Sequence, residues 1–577
     1  MKTFAYVDSK DHRKLVALFF ILLLTNIFEL LGIGLIPLYI LTLSSYELTK
    51  INSIFELQFL SSLTFYEVLL FSSLSLILFF IVKNILTIFL YKIEIKIFSK
   101  FVSSNASKLF KFYLERPYSF FENTSPSEII KNISISNNQA AEVMRSKILI
   151  IKELVFIFFV FVLLFYTNIK ITLSILIFLS IVCIIFYYFY KKKLSRLGSL
   201  AQQNQQEQLQ ILNDSFNGIK EVKIFKIEKV LIKLFNNETE NLTDRHYLGA
   251  FYVKLPRIFY EIIAIALMVF LIFLVLRQNQ DLTSALPILS LYFVALMRFI
   301  PSFSLLNASI NSVNYFKKAE TIVLSKLNII RESKNKNENS KSKEFDNKNN
   351  ELCLELTNLN FSYSSNINKK IIDDLNLIIK KGEKICIYGK SGEGKSTLID
   401  LIIGLIKPSS GSIKFNKQDV NTNLNSWLKL VTYVPQKVFV FDDSLIQNIC
   451  FKQILSEDEK LKLEKILAEV KLKEFVESLP DGINTNLGNM GFKISGGQMQ
   501  RIGIARALFR DPKIIILDES TNSLDKKTEQ DILSIFNSID YKDKIIISIS
   551  HDNQTFKYFD KILFLKNGKI LPKKEMK

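Results

Sequence analysis

Ile494-Ser495-Gly496-Gly497-Gln498, a helix-like run to Leu508, then Lys513-Ile514-Ile515-Ile516-Leu517-Asp518-Glu519 and finally Ser523-Leu524-Asp525 form the stretch that decides the fold. The Ser-Gly-Gly-Gln turn leaves backbone N–H groups uncovered at the head of a helix, an arrangement that binds anions. An anion site is therefore expected at Ser495, Gly496, Gly497 and Gln498. The apolar run from Ile514 to Leu517 reads as a buried parallel strand, and it delivers Asp518 and Glu519 at its carboxyl end, where open α/β sheets place their chemistry. One carboxylate there can hold Mg²⁺ and the next can polarise water. Each piece alone is common; their order and closeness carry the information.

A second phosphate site is written upstream as Gly389-Lys390-Ser391-Gly392-Glu393-Gly394-Lys395-Ser396-Thr397. It follows a strand-like run, residues 384–388, and precedes a helix-like run, residues 398–405, which is the context the G-x-x-x-x-G-K-[ST] mechanism requires. Gly389, Gly392 and Gly394 let the backbone wrap phosphates, Lys395 reaches the terminal ones, and the Ser396 hydroxyl ligands Mg²⁺. Ser391 and Thr397 complete the nucleotide-contacting set. With these motifs together, residues 351–577 resemble the nucleotide-binding domain of an ABC ATPase, whose hallmark turn is Ser-Gly-Gly-Gln. The resemblance implies ATP and Mg²⁺ as cofactors, Tyr363 as the aromatic that stacks on adenine, and Gln436 as a Mg²⁺ ligand that senses the membrane domain. It also implies Asp518 as a metal ligand, Glu519 as catalytic base, His551 as a γ-phosphate contact and Asp525 in the nucleotide site. Residues 485–491 resemble the exporter segment that meets the membrane domain, with Asn489 where Glu is usual and Ile494 in place of the common Leu downstream.

Composition points to a membrane part. Of 577 residues, 49% are hydrophobic, and the mean hydropathy of +0.22 is high for a soluble protein. The formal charge of +19 is spread among Asn and Ile rather than clustered, which fits loops facing anionic lipid better than a nucleic-acid surface. Cys183, Cys353, Cys386 and Cys450 have no C-x-x-C spacing and read as small buried residues in a reducing compartment.

Six apolar spans, each long enough to cross ~30 Å of hydrocarbon, are expected at residues 15–43, 68–91, 148–166, 171–190, 259–276 and 286–306. The first is too long for a signal-peptide core. Lys and Arg crowd the two long segments between spans two and three and between spans four and five, which places both on the cytoplasmic side. These segments keep helical periodicity, so the membrane helices are expected to continue past the bilayer, with short turn helices near residues 117–123 and 215–224. Residues 331–350 are polar and of low complexity, and read as a solvated tether. The domains expected are thus a transmembrane domain over 1–330, a linker over 331–350 and an ATPase domain over 351–577.

A six-helix all-α transmembrane domain followed by one α/β P-loop ABC domain resembles a half-transporter of the exporter type. Local runs around Glu29 with Pro37, Arg116-Pro117-Tyr118, Leu255-Pro256-Arg257 with Glu261, and Arg298-Phe299-Ile300-Pro301 are similar to bacterial lipid-linked-oligosaccharide flippases. That resemblance implies an ATP-driven flippase of a lipid-linked glycan or similar amphiphile in the bacterial inner membrane, with both chain ends cytoplasmic. Alternatives are a general lipid, drug or peptide exporter and, from another class, an ATP-regulated channel or regulatory subunit. Arg298 is the favoured contact for an anionic headgroup because a guanidinium keeps its charge in a poor solvent; Glu29 is either a substrate contact or a structural partner of Lys83 or Arg298. Since the phosphate loop and the Ser495 turn are both intact, a homodimer in which two chains pair head to tail suffices to enclose ATP. Membrane lipids are expected partners, and nucleic acid is not.

Overall fold

The computed structural model describes residues 9–44, 64–122, 124–277, 282–337, 353–363, 369–488, 494–519, 526–536, 541–550 and 553–571. The chain divides into two compact units, one of Met1–Arg116 with Phe121–Glu338, the other of Pro117–Phe120 with Asn339–Lys577.

The first unit is helical. Its long helices are α1 (Ser9–Ser44) and α2 (Phe65–Leu114). The short α3 (Tyr118–Glu122), whose first three residues belong to the second unit, and α4 (Pro126–Lys131) follow, and a π-helical turn, Asn132–Ser136, leads into α5 (Asn137–Thr167). Next come α6 (Ile169–Asn217), the short α7 (Ile219–Phe225), α8 (Glu228–Arg277), α9 (Leu282–Tyr315) and α10 (Lys317–Asn337). At ~1.5 Å per residue a 50-residue helix such as α2 or α8 is about 75 Å long, more than twice the hydrocarbon core. The apolar part of each can span, and the polar remainder continues into water. Among the described residues, Val16–Leu43, Tyr66–Leu114, Pro126–Thr167 and Leu286–Tyr315 are long and apolar enough to cross a membrane. The other two expected spans, 171–190 and 259–276, fall inside α6 and α8, where some side chains lie outside the described set.

The turn helices α3 and α7 sit where the sequence places them, although residues 215–217 belong to the end of α6. The segment read as a tether begins helical, because α10 runs through Asn337; the polar residues at 331–337 are carried as the last turns of a helix already nucleated upstream, which costs far less than starting one.

Two contacts inside this unit bear on function. A Cβ built on Gly198 of α6 collides with the carbonyl oxygen of Tyr315 at the end of α9, so these helices meet backbone to backbone. The Arg298 guanidinium of α9 is ion-paired with Glu29 of α1, and it lies 5.8 Å from the ring centre of Phe156 on α5. Lys83 sits 5.3 Å over the ring of Phe80 instead. Glu29 therefore has its structural partner, and the Glu29 side chain is only 11% exposed. Breaking a buried pair from one side strands a charge, at a cost of about 3 kcal/mol. Arg298→Ala is accordingly expected to lower yield and melting temperature, and Glu29→Gln added to it should restore most of both. Equal thermal stability of wild type and Arg298→Ala would show that the pair carries no structural weight.

The second unit is α/β. An antiparallel sheet in the order β2-β1-β4-β5 is made of β1 (Cys353–Phe361), β2 (Ile372–Lys380), β4 (Ser410–Phe415) and β5 (Gln418–Asp419). A six-stranded sheet in the order β10-β9-β3-β8-β7-β6 contains β3 (Lys384–Tyr388), β6 (Val431–Val434), β7 (Ile514–Asp518), β8 (Ile545–Ile549), β9 (Lys561–Lys566) and β10 (Lys569–Leu571). All its pairs are parallel except the edge pair β9–β10. Strand β7 shows why its sequence is continuously apolar: Ile514 and Ile516 join a core shared with the antiparallel sheet, while Ile515 and Leu517 join the core on the opposite face. In the first core Trp427 is fully buried and donates its indole N–H to the Ile402 carbonyl at 3.0 Å.

Candidate functional site

The phosphate loop hangs between β3 and helix α11 (Lys395–Ile403). Gly392 and Gly394 hold φ of +86° and +93°, a region that L side chains enter only with strain, so the loop needs glycine at both. The Lys395 ammonium folds into the loop, donating to the carbonyls of Gly389 at 2.7 Å and Lys390 at 2.9 Å. An ammonium has three donors, so one remains for a ligand. Burial lowers the Lys395 pKa, and the nearby carboxylates of Glu519 and Asp518 oppose that shift. The β3 residue Cys386, fully buried under the loop, has its thiol pushed up to about 12 by burial and is inert at neutral pH.

Asp518 ends β7 and Glu519 follows it. The Tyr433 hydroxyl, from the neighbouring β6, donates to Asp518 Oδ2 at 2.9 Å. Burial raises the Asp518 pKa, the Tyr433 hydrogen bond counters this, and the adjacent Glu519 adds to the rise. Glu519 takes φ +47°, uncommon for a residue with a side chain; its N–H donates to the Ile549 carbonyl at 3.2 Å, and its Oε2 accepts from Gln436 Nε2 at 2.7 Å. The Tyr363 hydroxyl lies 3.3 Å from Thr397 Oγ1, and its ring meets Phe361 edge-on, with centroids 5.0 Å apart. The Ser396 side chain is exposed and makes no hydrogen bond to any described residue.

The Ser495 turn is more occupied than the sequence suggests. Ser495 caps helix α12 (Gly496–Phe509) in a closed box: its Oγ accepts from the Gln498 N–H at 3.2 Å, and its own N–H donates to Gln498 Oε1 at 2.9 Å. The N–H groups of Gly496 and Gly497 and the Ser495 hydroxyl proton are what the turn has left to offer an anion. Ser391 lies exposed in the loop. His551, Asp525 and Asn489 lie outside the described residues, as does the side chain of Cys183.

The structure thus brings together Lys395, Asp518, Glu519 and Gln436, with Tyr363 at Thr397. It adds Tyr433, whose role depends on β6 lying beside β7, with Tyr433 in register with Ile516; no local sequence signal carries that neighbourhood. The donor set fits a nucleotide with its divalent ion. A spare ammonium donor and glycine-wrapped N–H groups suit phosphates. Asp518, Ser396 and Gln436 offer oxygen donors that would suit a hard cation, which takes further oxygens from phosphate and water, as Mg²⁺ does.

Helices able to cross a membrane, followed by a phosphate loop on a parallel sheet with paired carboxylates at a strand end, define a membrane protein with a nucleotide-binding domain. Residues 19–300 match the ABC transporter transmembrane region and residues 372–522 match the ABC transporter family. The chain belongs to the ABC transporters, with both parts in one polypeptide, and its ATPase domain uses ATP with Mg²⁺. It is similar to an export ATP-binding/permease protein of Rickettsia bellii, 41% identical over 222 residues, which is 38% of each chain; that match spans well under two thirds of the relative. It is also similar to the ATP-dependent lipid A-core flippase of Burkholderia pseudomallei, 27% identical over 469 residues, covering 80% of this chain and 76% of the flippase. The fold matches a bacterial Atm1-family ABC exporter solved with ATP bound, with a TM-score of 0.77 at 20% identity, over 97% of this chain and 94% of the other.

Proposed function

We propose that this chain is an exporter that couples ATP hydrolysis to the flipping of a lipid-linked glycan or similar amphiphile across the bacterial inner membrane, working as a homodimer. The observation that carries the catalytic half of this reading is the convergence of Lys395, Asp518, Glu519 and Gln436 at one end of the parallel sheet. ATP with Mg²⁺ supplies a phosphoryl group whose charge the ion neutralises. Around it, Lys395 would offer its third N–H to phosphate, Ser396, Gln436 and Asp518 would hold the ion, and Glu519 would accept the proton of an attacking water. His551, Tyr363 and Asp525 complete the site in the roles their motif positions imply. The Ser495 turn is bonded to Gln498 rather than to the phosphate loop of its own chain, which supports its use by a second copy in an isologous pair. Domain limits at 1–330 and 351–577, with a tether between them that begins as helix, fit this arrangement.

The flippase reading is supported by the similarity to the lipid A-core flippase along most of both chains and by the intramembrane cations Arg298 and Lys83. Because Arg298 is paired with Glu29, an anionic headgroup reaching it has to compete with that carboxylate. The test is turnover by the purified protein in liposomes. A polyprenyl-pyrophosphate glycan is expected to stimulate ATP hydrolysis more than cationic drugs or peptides do, with the labelled glycan appearing in the opposite leaflet. Stimulation by drugs alone would shift the assignment to a general exporter, and ATP-dependent ion conductance without flipping would shift it to a channel.

A further inference from the structure

The carboxyl end of β7 carries two adjacent carboxylates, and the chain running along β6 beside it reaches both. Tyr433 donates its hydroxyl to Asp518 Oδ2 at 2.9 Å, and Gln436, just past the strand, donates its amide to Glu519 Oε2 at 2.7 Å. Glu519 also has its backbone N–H tied to the Ile549 carbonyl. The Asp518 side chain is held by less. Among the described residues Tyr433 is its one hydrogen-bond donor, and Asp518 is the one hydrogen-bond partner of the Tyr433 hydroxyl.

Sheet geometry makes tyrosine the side chain for this task. Tyr433 is in parallel register with Ile516, and both pack into the core shared with the antiparallel sheet. Asp518, two residues past Ile516, returns to the same face about 7 Å further along the strand. Serine and threonine carry their hydroxyl one carbon from the backbone and fall short of it. Lysine or arginine can reach, but either brings a fixed positive charge that competes with a cation for the carboxylate. A phenol covers the distance, stays neutral and donates one proton.

A buried tyrosine has to place its O–H somewhere, so the bond alone shows no more than good packing. Its target gives it a further use. Asp518 is only 8% exposed, and with Oδ2 taken by Tyr433 the oxygen left to offer is Oδ1. The hydroxyl also stops the carboxylate from turning about its own axis. Metal-binding carboxylates depend on such hydrogen bonds for their orientation, and losing one costs about 10–100-fold in metal affinity or activity. A fixed orientation matters most for Mg²⁺, which demands near-ideal octahedral geometry, and less for Ca²⁺, whose coordination is flexible.

We infer that Tyr433 is a positioning residue for the divalent ion: by holding Asp518 Oδ2 it presets Oδ1 as the metal-facing oxygen, and so sets the affinity of the nucleotide site for Mg²⁺ and its preference for Mg²⁺ over Ca²⁺. This role rests on the reading of Asp518 as a metal ligand, and a variant of each residue tells the failure of one from the failure of the other.

The test uses the full-length protein in nanodiscs, in excess over a non-hydrolysable ATP analogue, so that metal binding is read without turnover. Mn²⁺ serves as a paramagnetic probe followed by electron paramagnetic resonance, with Mg²⁺ and Ca²⁺ titrated as competitors. Tyr433→Phe keeps the ring in the core and removes only the hydroxyl. It is expected to weaken Mn²⁺ and Mg²⁺ about tenfold, to weaken Ca²⁺ less, and to leave the affinity for the analogue in EDTA at the wild-type value. Asp518→Asn should bind Mn²⁺ poorly, and Tyr433→Phe added to it should cause no further loss. Unchanged Mn²⁺ and Mg²⁺ affinities in Tyr433→Phe, with Asp518→Asn impaired, overturn the positioning role alone. Full Mn²⁺ binding by Asp518→Asn removes the metal-ligand reading beneath it. An equal loss of metal-free analogue binding in Tyr433→Phe also overturns the role, because the hydroxyl then supports the whole site rather than the ligand of the ion.

Discussion

Glu519→Gln is expected to lower steady-state ATP hydrolysis by roughly 10²-fold or more while nucleotide binding survives. The geometry makes this a clean substitution. Gln436 Nε2 donates to Glu519 Oε2 at 2.7 Å, and the amide of a glutamine can present its oxygen to the same donor, so the side chain stays in place and only its basicity is lost. The backbone of residue 519, tied to the Ile549 carbonyl, is untouched. Phosphate release, nucleotide binding and the fraction of paired chains should be measured together. Low turnover with ATP-trapped pairs is the expected result, and near-normal hydrolysis would remove Glu519 from the base role.

Ser495→Arg is expected to abolish turnover while leaving each chain folded and able to bind nucleotide through Lys395. Arginine cannot accept the Gln498 N–H, so the closed cap at the head of α12 is lost, but a cap contributes only about 1 kcal/mol. The larger effect is a long cationic side chain in a turn whose remaining N–H groups await a phosphate from a second copy. Ser495→Ala separates the two effects, since it removes the cap without bulk and should retain substantial activity. Normal hydrolysis by purified Ser495→Arg would rule out the head-to-tail site.

Much of this molecule is legible in its sequence, for physical reasons that differ from part to part. A parallel strand buried on both faces must be apolar throughout, so 384–388 and 514–518 announce themselves, and a phosphate loop can be read because its glycines and lysine are adjacent in the chain. What escapes is whatever depends on elements distant in sequence. Nothing near Glu29 says that Arg298 will find it rather than Lys83, and nothing near Tyr433 says that its strand will lie against the one carrying Asp518. The Ser495 turn is a subtler case. The anion-binding geometry follows from the motif, yet the same Gln498 that completes the motif also closes the cap and takes up two of the groups the bare turn offers. Helix length is under-read as well: a polar heptad outside the bilayer looks like loop or tether until it is seen to extend a helix already formed, as at the end of α10.

The left-handed backbone at Glu519 sets durability against work. Of the twenty residues, glycine adopts that conformation most cheaply, and a side chain held there carries strain that the surrounding structure must absorb. Selection for heat resistance alone would therefore drift towards Gly at this position and produce a tougher, idle ATPase domain. That a carboxylate stands there instead marks a point where selection on the living cell's demand for turnover opposes selection on the fold. Stabilised variants recovered from random libraries ought to be checked for this exchange before any of them is used as a surrogate for the wild-type transporter.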